Sequence, residues 1–469
     1  MKERNKKSWF PNVYTILFLL AIVSAILTWI VPAGNYERVT EDNVTKVVAG
    51  TYHEISQNPQ GPWEIFQALV TGFKNQSSLI YMILFVGAAV YMNYRNKSQL
   101  TQFLMKLAKA VKGREEIAIF CVMFFMSLGG ATGVFGNATL VLIPIGIFLS
   151  QAMGFDKTLG FFMIFFGQFA GFNVGWANAG VLGVAQSIAE VPLFSGFSAR
   201  VIFHIVNFTL SYAFVIFYLH QIKKDPFRSL NYEQGLKVND IMGYQDGELG
   251  DSPVTKVQVL SMLCMATGLA AVVIGALKFK WGADKISATF LVVCLLIGCV
   301  SCKDINVGFD RFIKGCASTV SAAFIVGFAN CLTVLMSNGM ILDTIVYWLA
   351  KPISHMGAVL GAGFMFLANA LINFFISSGS GQAAAVMPIM VPIADLTGIT
   401  RQVAVQAFQF GDGFTNCVIP TIGTLMGGLG FAGISYGKYL KKAMPLILVQ
   451  IILAFFTLMF LQSIGWTGL

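Results

Sequence analysis

Charged residues are scarce in this chain. They account for 11% of its 469 residues, whereas about a quarter of the residues of a soluble globular protein are charged. Hydrophobic residues account for 56%, with 42 phenylalanines, and a water-soluble fold of this length could not bury that much apolar surface. Several apolar runs approach or exceed the roughly 20 residues that span a bilayer as a helix. The composition therefore predicts an all-α polytopic membrane protein.

Signatures of several other classes are absent. The chain has neither the GxxxxGK[ST] pattern of ATP-binding loops nor a Rossmann glycine fingerprint, and it shows no Ser/His/Asp arrangement. Its eight cysteines lie almost all in apolar segments without zinc-ligand spacing, and its four histidines are scattered. We therefore expect no enzyme activity and no cofactor beyond a coupling ion. The net charge of +9 comes from Lys and Arg between apolar segments, which indicates membrane topology rather than a nucleic-acid partner.

Residues 1–62 are predicted to form an N-terminal span and an external loop. The first apolar stretch is longer than the 7–15 residues of a signal-peptide core, so we expect an uncleaved span at about 12–32. The basic residues before it place the N-terminus in the cytoplasm. A second span is predicted at about 65–92, and the amphipathic stretch 93–116 is predicted as a helix in the cytoplasmic interface.

The apolar run 117–153 is interrupted by GGATGVFGNAT at 129–139. Each flank has about a dozen residues, roughly 18 Å of helix, which is too short for a hydrocarbon core of about 30 Å. We predict a re-entrant hairpin over 116–153 that enters from the cytoplasm, and a single kinked span is the alternative. Residues 158–189 hold FFGQFAGFNVGWANAG and are predicted as a broken helix. A span at about 201–219 follows.

The second half begins after a polar cytoplasmic linker at 221–253 and repeats the same order of features. It is predicted to contain two connecting spans within 254–306 (254–276 and 286–301), a cytoplasmic turn at 302–315, a span at 316–336, an external interfacial helix at 338–356, a hairpin at 357–398 around SSGSGQ, a broken helix at 402–433 and a span at 444–464. In total we expect about nine transmembrane helices, two re-entrant hairpins and two discontinuous helices.

Residues 63–220 and 307–469 are predicted to be two inverted copies of one unit. Pro144 and Pro388 are 244 residues apart, as are Gly154 and Gly398. The predicted topology places the first hairpin on the inside and the second on the outside. In many secondary transporters such inverted repeats meet at a substrate site near the membrane midplane.

The two hairpin tips and the two broken helices should therefore converge on a substrate or ion site. The first copy contributes Gly136, Asn137, Gln168, Asn173 and Asn178, and the second contributes Ser377, Ser378, Gly379, Ser380, Gly381, Gln382, Asp412, Thr415, Asn416 and Thr421. Tip glycines let the backbone approach a ligand. Helix N-termini, expected at about Asn137 and Gln382, suit a carboxylate, whereas hydroxyls, carbonyls and Asp412 suit Na⁺ or H⁺.

Asp412 is the most informative single residue of the candidate site. A charge in mid-membrane costs at least about 2.5–3.5 kcal/mol, so Asp412 either binds a coupling cation or proton, pairs with a distant Arg, or lies in a hydrated vestibule. Its partner in the first copy is Gln168, so only one copy is charged. Asn137 and Gln382 are either ligand contacts or helix-packing amides. Other ionisable residues in or near spans are expected in roles outside the site: Glu190, Asp395 and Arg401 in solvated interface, and His204 in helix packing.

Several blocks of the chain resemble the YfcC family of bacterial inner-membrane carriers. They are PNVYTILFLLAIVSAILTWIVPAG, NPQGPWE and ISSGSGQAAAVMPIMVPIADLTGITRQVAVQAFQFGDGFTNCVIPT. The family is grouped with the anaerobic four-carbon-dicarboxylate carriers of the ion transporter superfamily. This resemblance implies a bacterial inner-membrane location, a scaffold with a mobile transport domain, elevator-like motion and often a homodimer.

The resemblance also carries residue assignments. Related aminobenzoyl-glutamate carriers have a similar Gly-Asp-x-x-Thr-Asn block with a functionally important Asp, which matches Gly411, Asp412, Thr415 and Asn416 here. Streptococcal arginine/ornithine exchangers are similar as well. At the first tip, where relatives often carry two adjacent acidic residues, this chain has Gly136-Asn137, which weakens the case for a cationic substrate.

Taken together, these features predict a secondary active transporter of a small carboxylate or amino acid, driven by Na⁺ or H⁺ through Asp412. An amino-acid exchanger of arginine/ornithine type is the alternative within the same class, and an ion channel is the alternative from a different class.

Overall fold

The computed structural model describes residues 13–41, 44–95, 113–233, 236–242, 256–279, 281–302 and 304–468. The basic N-terminal residues lie outside this part of the chain. So do most of the predicted interfacial helix at 93–116 and part of the predicted linker at 221–253.

Most of the described chain is helical, as the apolar runs predict. Its first half contains α1 (Val13–Ile30), α2 (Pro62–Asn75), α3 (Ser77–Arg95), α4 (Glu115–Ala131), α5 (Thr139–Ala152), α6 (Lys157–Phe172), α7 (Leu182–Ile188), α8 (Phe197–Lys224) and α9 (Val238–Ile241). Its second half contains α10 (Lys256–Phe279), α11 (Ala283–Ser301), α12 (Ile305–Asn338), α13 (Leu342–Ala350), α14 (Ala358–Asn373), α15 (Gly379–Thr397), α16 (Arg401–Thr415), α17 (Gly423–Ala432) and α18 (Tyr436–Ser463). Short 3-10 turns cover Gly136–Ala138, Pro226–Arg228 and Lys351–His355.

The expectation of a purely helical fold is wrong in one region, the loop after α1. Strands β1 (Gly34–Asn35) and β4 (His53–Glu54) pair antiparallel, and so do β2 (Arg38–Glu41) and β3 (Val44–Val47). Two residues of this loop contact the start of α13. The Asp343 carboxylate accepts from the Tyr36 backbone N–H (2.9 Å) and pairs with Arg38 (2.8 Å). The loop is polar enough to lie outside the membrane, and its strands pair as two antiparallel ribbons.

Four of the described helices are long and apolar enough to cross a membrane: α8, α11, α12 and α18. A fifth span results if α2 and α3, which bend by 62° at the residue between them, are taken as one crossing. Five further apolar stretches are shorter, with 10–17 residues each: Tyr14–Ile30, Gly136–Ala152, Lys157–Phe172, Val259–Val272 and Ala358–Asn373. The chain is therefore a multi-pass membrane protein, and the expected total of about nine spans stays a prediction.

The predicted second span is not a single helix. α2 and α3 meet at a sharp bend at Gln76, although the backbone N–H of Gln76 still bonds to the Gly72 carbonyl (3.1 Å). Gln76 follows Lys74 and Asn75 and precedes two serines, so the apolar character falls at this point. Because apolar residues flank the bend on both sides, the sequence predicts one continuous span at about 65–92.

Two further boundaries differ from the predictions because polar residues extend helices instead of ending them. The predicted turn at 302–315 is mostly helical, since Asp304 caps α12 by accepting from the Asn306 backbone N–H (2.9 Å). α8 begins at Phe197, four residues before the span predicted at about 201–219. Arg200 consequently lies inside a helix and is fully buried.

The hairpins and broken helices have matching local structure in the two halves. Gly154 after α5 and Gly398 after α15 both have positive φ, +84° and +75°. Asp156 caps α6 through the Leu159 N–H (2.9 Å). Thr400, 244 residues later, caps α16 through the Val403 N–H (3.3 Å). The spacing seen in the sequence therefore marks equivalent helix ends.

The helices pack in two groups. In the first group, α12 packs against α1, α2 and α3, and α11 packs against α3. In the second, α4, α5 and α8 pack on α6, while α14, α15 and α18 pack on α16. α17 joins the groups by packing on α12, where Gly430 allows close approach to Ala322.

Candidate functional site

The first hairpin tip is the turn at 132–138, between α4 and α5. Gly133 and Gly136 adopt positive φ, +71° and +34°, which favours glycine at both positions. A 3-10 turn over Gly136–Ala138 leads directly into α5 at Thr139. The helix N-terminus that was predicted at about Asn137 therefore lies at this tip.

The second tip is the turn at 374–378, between α14 and α15. Ser378 caps α15, with its Oγ accepting from the Gly381 N–H at 3.4 Å. α15 therefore begins at Gly379, one turn earlier than the predicted start at about Gln382. Gly381 is exposed in the first turn of the helix, and Gln382 is buried within it.

Both predicted broken helices are interrupted. The first break runs from Asn173 to Val181, between α6 and α7, and includes Gly175 at φ +62°. Within it, the Asn178 Oδ1 accepts from the N–H groups of Gly180 (3.1 Å) and Val181 (3.2 Å). The second break, at 416–422, separates α16 from α17.

The two breaks lie side by side, because α6 and α16 cross closely. A Cβ at Gly413 would lie 2.4 Å from the Asn173 Cα, and the Gln409 Nε2 donates to the Phe172 carbonyl at 2.8 Å. Glycine at position 413 is thus required for the close approach of the two helices.

A cavity of about 440 Å³ lies where the tips and breaks meet the first helix group. Nine of the sixteen predicted residues line it: Gly136, Asn137, Gln168, Ser377, Ser378, Gly379, Ser380, Asn416 and Thr421. Both tips and both halves are represented in its wall. Among the residues that the structure describes, those that line the cavity include no charged side chain.

The first helix group contributes lining residues that the sequence analysis missed. Gln76 comes from the bend between α2 and α3, and Asn330 and Thr333 come from α12. Each is a polar residue within an apolar segment, which is a detectable but weak signal, since single amides in spans also serve helix packing. Leu79 and Val326 add apolar wall on the same side.

Seven predicted residues do not line the cavity, and Asp412 is among them. They are Asn173, Asn178, Gly381, Gln382, Gly411, Asp412 and Thr415. The Asp412 side chain is fully buried, and its Oδ2 lies 3.0 Å from the position of a Cβ on Gly379, which itself lines the cavity. Gly379 therefore lies between the Asp412 carboxylate and the cavity.

Asp412 belongs to a hydrogen-bonded network with α14 and the second break. The Asn373 Nδ2 donates to the Asp412 carbonyl (3.0 Å) and to Thr415 Oγ1 (2.8 Å). The Asn416 Nδ2 donates to Asp412 Oδ1 (3.4 Å), and Thr415 donates in turn to the Gly411 carbonyl (2.5 Å). Asp412 Oδ2 has no hydrogen-bond partner within the part of the chain that the structure describes. Among the described residues no Arg or Lys forms an ion pair with Asp412, so the alternative of a distant Arg partner has no support.

The other ionisable residues named from the sequence lie away from the cavity. Arg401 pairs with Glu190 (2.8 Å) and with Asp395 (2.8 Å) at a partly exposed end of α16. The Trp176 Nε1 donates to His204 Nδ1 at 2.9 Å, so the predicted packing role of the histidine is confirmed.

Comparisons with known proteins identify the family. The family model described as DcuC, C4-dicarboxylate anaerobic carrier, matches residues 10–463. The chain is 27% identical to the Escherichia coli protein named "Putative basic amino acid antiporter YfcC", over 99% of each chain. It is 25% identical to an uncharacterised protein of Haemophilus influenzae, over 95% of this chain and 96% of that protein.

Two solved structures are also similar to the chain. They are the Alcanivorax borkumensis YdaH transporter, with 17% identity, 98% and 100% coverage and a TM-score of 0.43, and Neisseria gonorrhoeae MtrF, with 16% identity, 97% and 95% coverage and a TM-score of 0.38. The family match places the chain in the class of membrane carriers. It belongs to the DcuC family, and the resemblance to YfcC seen in the sequence is confirmed.

Proposed function

We propose that the protein is a secondary active carrier of a small carboxylate or amino acid, coupled to Na⁺ or H⁺ through Asp412. The observation that carries this proposal is the single cavity wall built from both hairpin tips, both interrupted helices and the first helix group. Discontinuous helices that meet at one site are the common design of secondary transporters. The cavity, about 440 Å³, falls within the usual range of small-molecule sites.

The cavity favours a carboxylate over a cation. α15 and α17 begin at residues that line it, and α5 begins two residues after Asn137, which also lines it. Helix N-termini direct N–H groups and the positive ends of their dipoles towards a ligand. The described lining residues include no acidic side chain, so an anionic group has donors in the wall, and the Asp412 carboxylate lies behind Gly379 and not in the wall itself. The family description, which names C4-dicarboxylates, agrees with this preference.

A basic amino acid is the second candidate substrate. It is favoured by the printed name of the YfcC relative and by the position of Asp412, whose Oδ2 lies directly behind Gly379. In this version the carboxylate of the amino acid meets the helix N-termini, and its cationic end is attracted by Asp412.

Gln168→Glu distinguishes the two substrates. Gln168 lines the cavity and its Oε1 has no partner, so the substitution introduces a negative charge into the wall. We expect the KM for a carboxylate substrate to rise about tenfold or more, equivalent to about 1.4 kcal/mol or more of repulsion. If the substrate is a basic amino acid, its KM falls instead. Uptake into proteoliposomes measures both outcomes.

Gln168→Met is the matched control, because it removes the amide without adding a charge. A KM for carboxylate that is equal in Gln168→Glu and Gln168→Met would contradict an anion site at this wall.

The proposed mechanism is elevator-like alternating access between two inverted copies, 63–220 and 307–469. Support comes from the equivalent helix ends in the two halves, with glycine at 154 and 398, and from the separation of the helices into two groups on either side of the cavity. We further propose that the protein is a homodimer in the bacterial inner membrane and that its N-terminus lies in the cytoplasm.

Cysteine labelling tests the inversion. Lys157 and Leu396 are both exposed and lie close to Gly154 and Gly398. In a cysteine-free background, Lys157→Cys and Leu396→Cys are expected to react with a membrane-impermeant maleimide from opposite sides of the membrane. Reaction of both positions from the same side contradicts the inverted repeat.

A further inference from the structure

We propose that Asn369, Asn373, Gln382 and Asp412 form a buried binding site for one sodium ion, and that this ion is the coupling cation. This inference rests on the proposed function and names the cation. The four side chains come from α14, α15 and α16, and all four are fully buried.

The first observation is a set of buried oxygens that have no hydrogen-bond partners among the described residues. They are Asp412 Oδ2, Asn373 Oδ1, Asn369 Oδ1 and Gln382 Oε1. Buried polar atoms in folded proteins are almost always paired, and these four acceptors lie on three helices that contact one another beside Asp412, so a positive group placed there would pair them. None of the four residues has an unpaired nitrogen, so the site offers acceptors alone.

The amide orientations follow from the donors, because each NH₂ group already faces acceptors. Asn373 Nδ2 donates to the Asp412 carbonyl, to Thr415 Oγ1 and to Asn416 Oδ1 (2.8 Å). Asn369 Nδ2 donates to the Met365 carbonyl (2.8 Å), and Gln382 Nε2 donates to the Asn369 carbonyl (2.9 Å). Turning any of these amides would place an oxygen against other oxygens, so the unpaired atoms are oxygens.

The four residues are held together by close contacts at two glycines. A Cβ at Gly411 would lie 2.6 Å from the Asn369 Cβ, so α14 and α16 touch directly beside Asp412. Gly379, in the first turn of α15, borders Asp412 Oδ2. Asn369 and Asn373 are four residues apart and thus lie on one face of α14.

The chemistry of this set suits a monovalent hard cation. Oxygen ligands bind hard cations, and the one carboxylate, Asp412, is neutralised by one positive charge. A proton would also neutralise Asp412, but the resulting O–H group donates to one acceptor at most and leaves two amide oxygens unpaired. A divalent ion would leave a net buried charge, which is costly. Sodium satisfies both the charge and the acceptors.

At the 244-residue spacing, the first half has no matching set of side chains. The residues 244 positions before Asn369, Asn373, Gln382 and Asp412 are Phe125, Gly129, Ala138 and Gln168. Only Gln168 offers a side-chain oxygen. At this spacing the described residues of the first half therefore offer no second set of this kind.

Thermal unfolding of the full-length purified protein tests the site. At constant pH and ionic strength, NaCl is expected to raise the Tm in a saturable way relative to choline chloride, with a smaller effect of KCl, because a ligand stabilises the state that it binds. Gln382→Met removes one ligand and should weaken the apparent sodium affinity about 10- to 100-fold, the range seen when a supporting group of a metal site is lost. Asp412→Asn should abolish the response.

Gln450→Met is the matched control. Gln450 is also a buried glutamine with an unpaired Oε1, and its Nε2 donates to Asn207 (2.7 Å) and Ser211 (3.3 Å), but it lies in α18. Its substitution should lower the Tm and leave the sodium affinity unchanged.

Equal melting in NaCl, KCl and choline chloride overturns the inference, and so does a sodium response that Gln382→Met leaves intact. If a pH gradient nevertheless drives uptake, the sodium site is refuted but the proposed function as a secondary active carrier is supported. If sodium raises the Tm through these residues but no carboxylate or amino acid is transported, the site stands and the proposed function fails.

Discussion

Asp412→Asn is expected to abolish uptake that is driven by an ion gradient while substrate exchange persists. Among the described residues, Asp412 is the only acidic side chain in the buried network around the second break, and its Oδ2 is unpaired. The asparagine retains the volume and one oxygen but removes the charge that a cation needs. Losing one member of a buried charge pair costs about 2–5 kcal/mol, roughly 30-fold to several-thousand-fold in affinity.

Uptake and counterflow in proteoliposomes separate the two activities. Asp395→Asn is the matched control: Asp395 is an exposed carboxylate near the end of α15 that pairs with Arg401. Exposed ion pairs contribute about 0–1 kcal/mol, so this variant should transport like the wild type. Full gradient-driven uptake by Asp412→Asn would remove Asp412 from the coupling mechanism.

Gly171→Ala is expected to have the largest effect on folding. A Cβ at Gly171 would lie 1.8 Å from the Ser127 carbonyl oxygen. On the facing helix of the same crossing, a Cβ at Gly130 would lie 1.9 Å from the Gln168 carbonyl oxygen. Both contacts are with backbone atoms, so neither can be relieved by rotating a side chain. Separating α4 from α6 should cost about 3 kcal/mol or more and displace Gln168 from the cavity.

Gly183→Ala controls for the loss of a helical glycine. The nearest atom to a Cβ at Gly183 is 3.8 Å away, and alanine has a higher helix propensity by about 1 kcal/mol. We expect Gly183→Ala to melt at or above the wild-type Tm, and Gly171→Ala to give little monodisperse protein in size-exclusion chromatography. Similar melting of the two variants would show that the α4–α6 crossing is not tightly packed.

The features that the sequence predicted best are interruptions of apolar runs. Glycine and amide clusters at 129–139 and 377–382 cannot continue a lipid-facing helix, and the structure has turns at or beside both. The polar residues at 173–178 and 412–421 end α6 and α16 for the same reason. These positions are detectable because the surrounding residues are so uniformly apolar.

What the sequence could not predict depends on contacts between distant segments. Gln76 and Asn330 reach the cavity only because α2 and α3 bend and α12 packs beside them. The position of Asp412 behind Gly379, and not in the cavity wall, follows from how α15 packs on α16. Periodicity within one segment reports a helix face, but it does not report which segment covers that face.

Accumulation of substrate in proteoliposomes tests the central claim most directly. Purified protein is reconstituted, and labelled small carboxylates and amino acids are offered with an inward Na⁺ gradient, an inward H⁺ gradient or no gradient. The account predicts accumulation of at least one carboxylate-bearing compound above its external concentration, only with a gradient, with a KM that Gln168→Glu raises. Currents far above carrier turnover without accumulation of any of these compounds would contradict it.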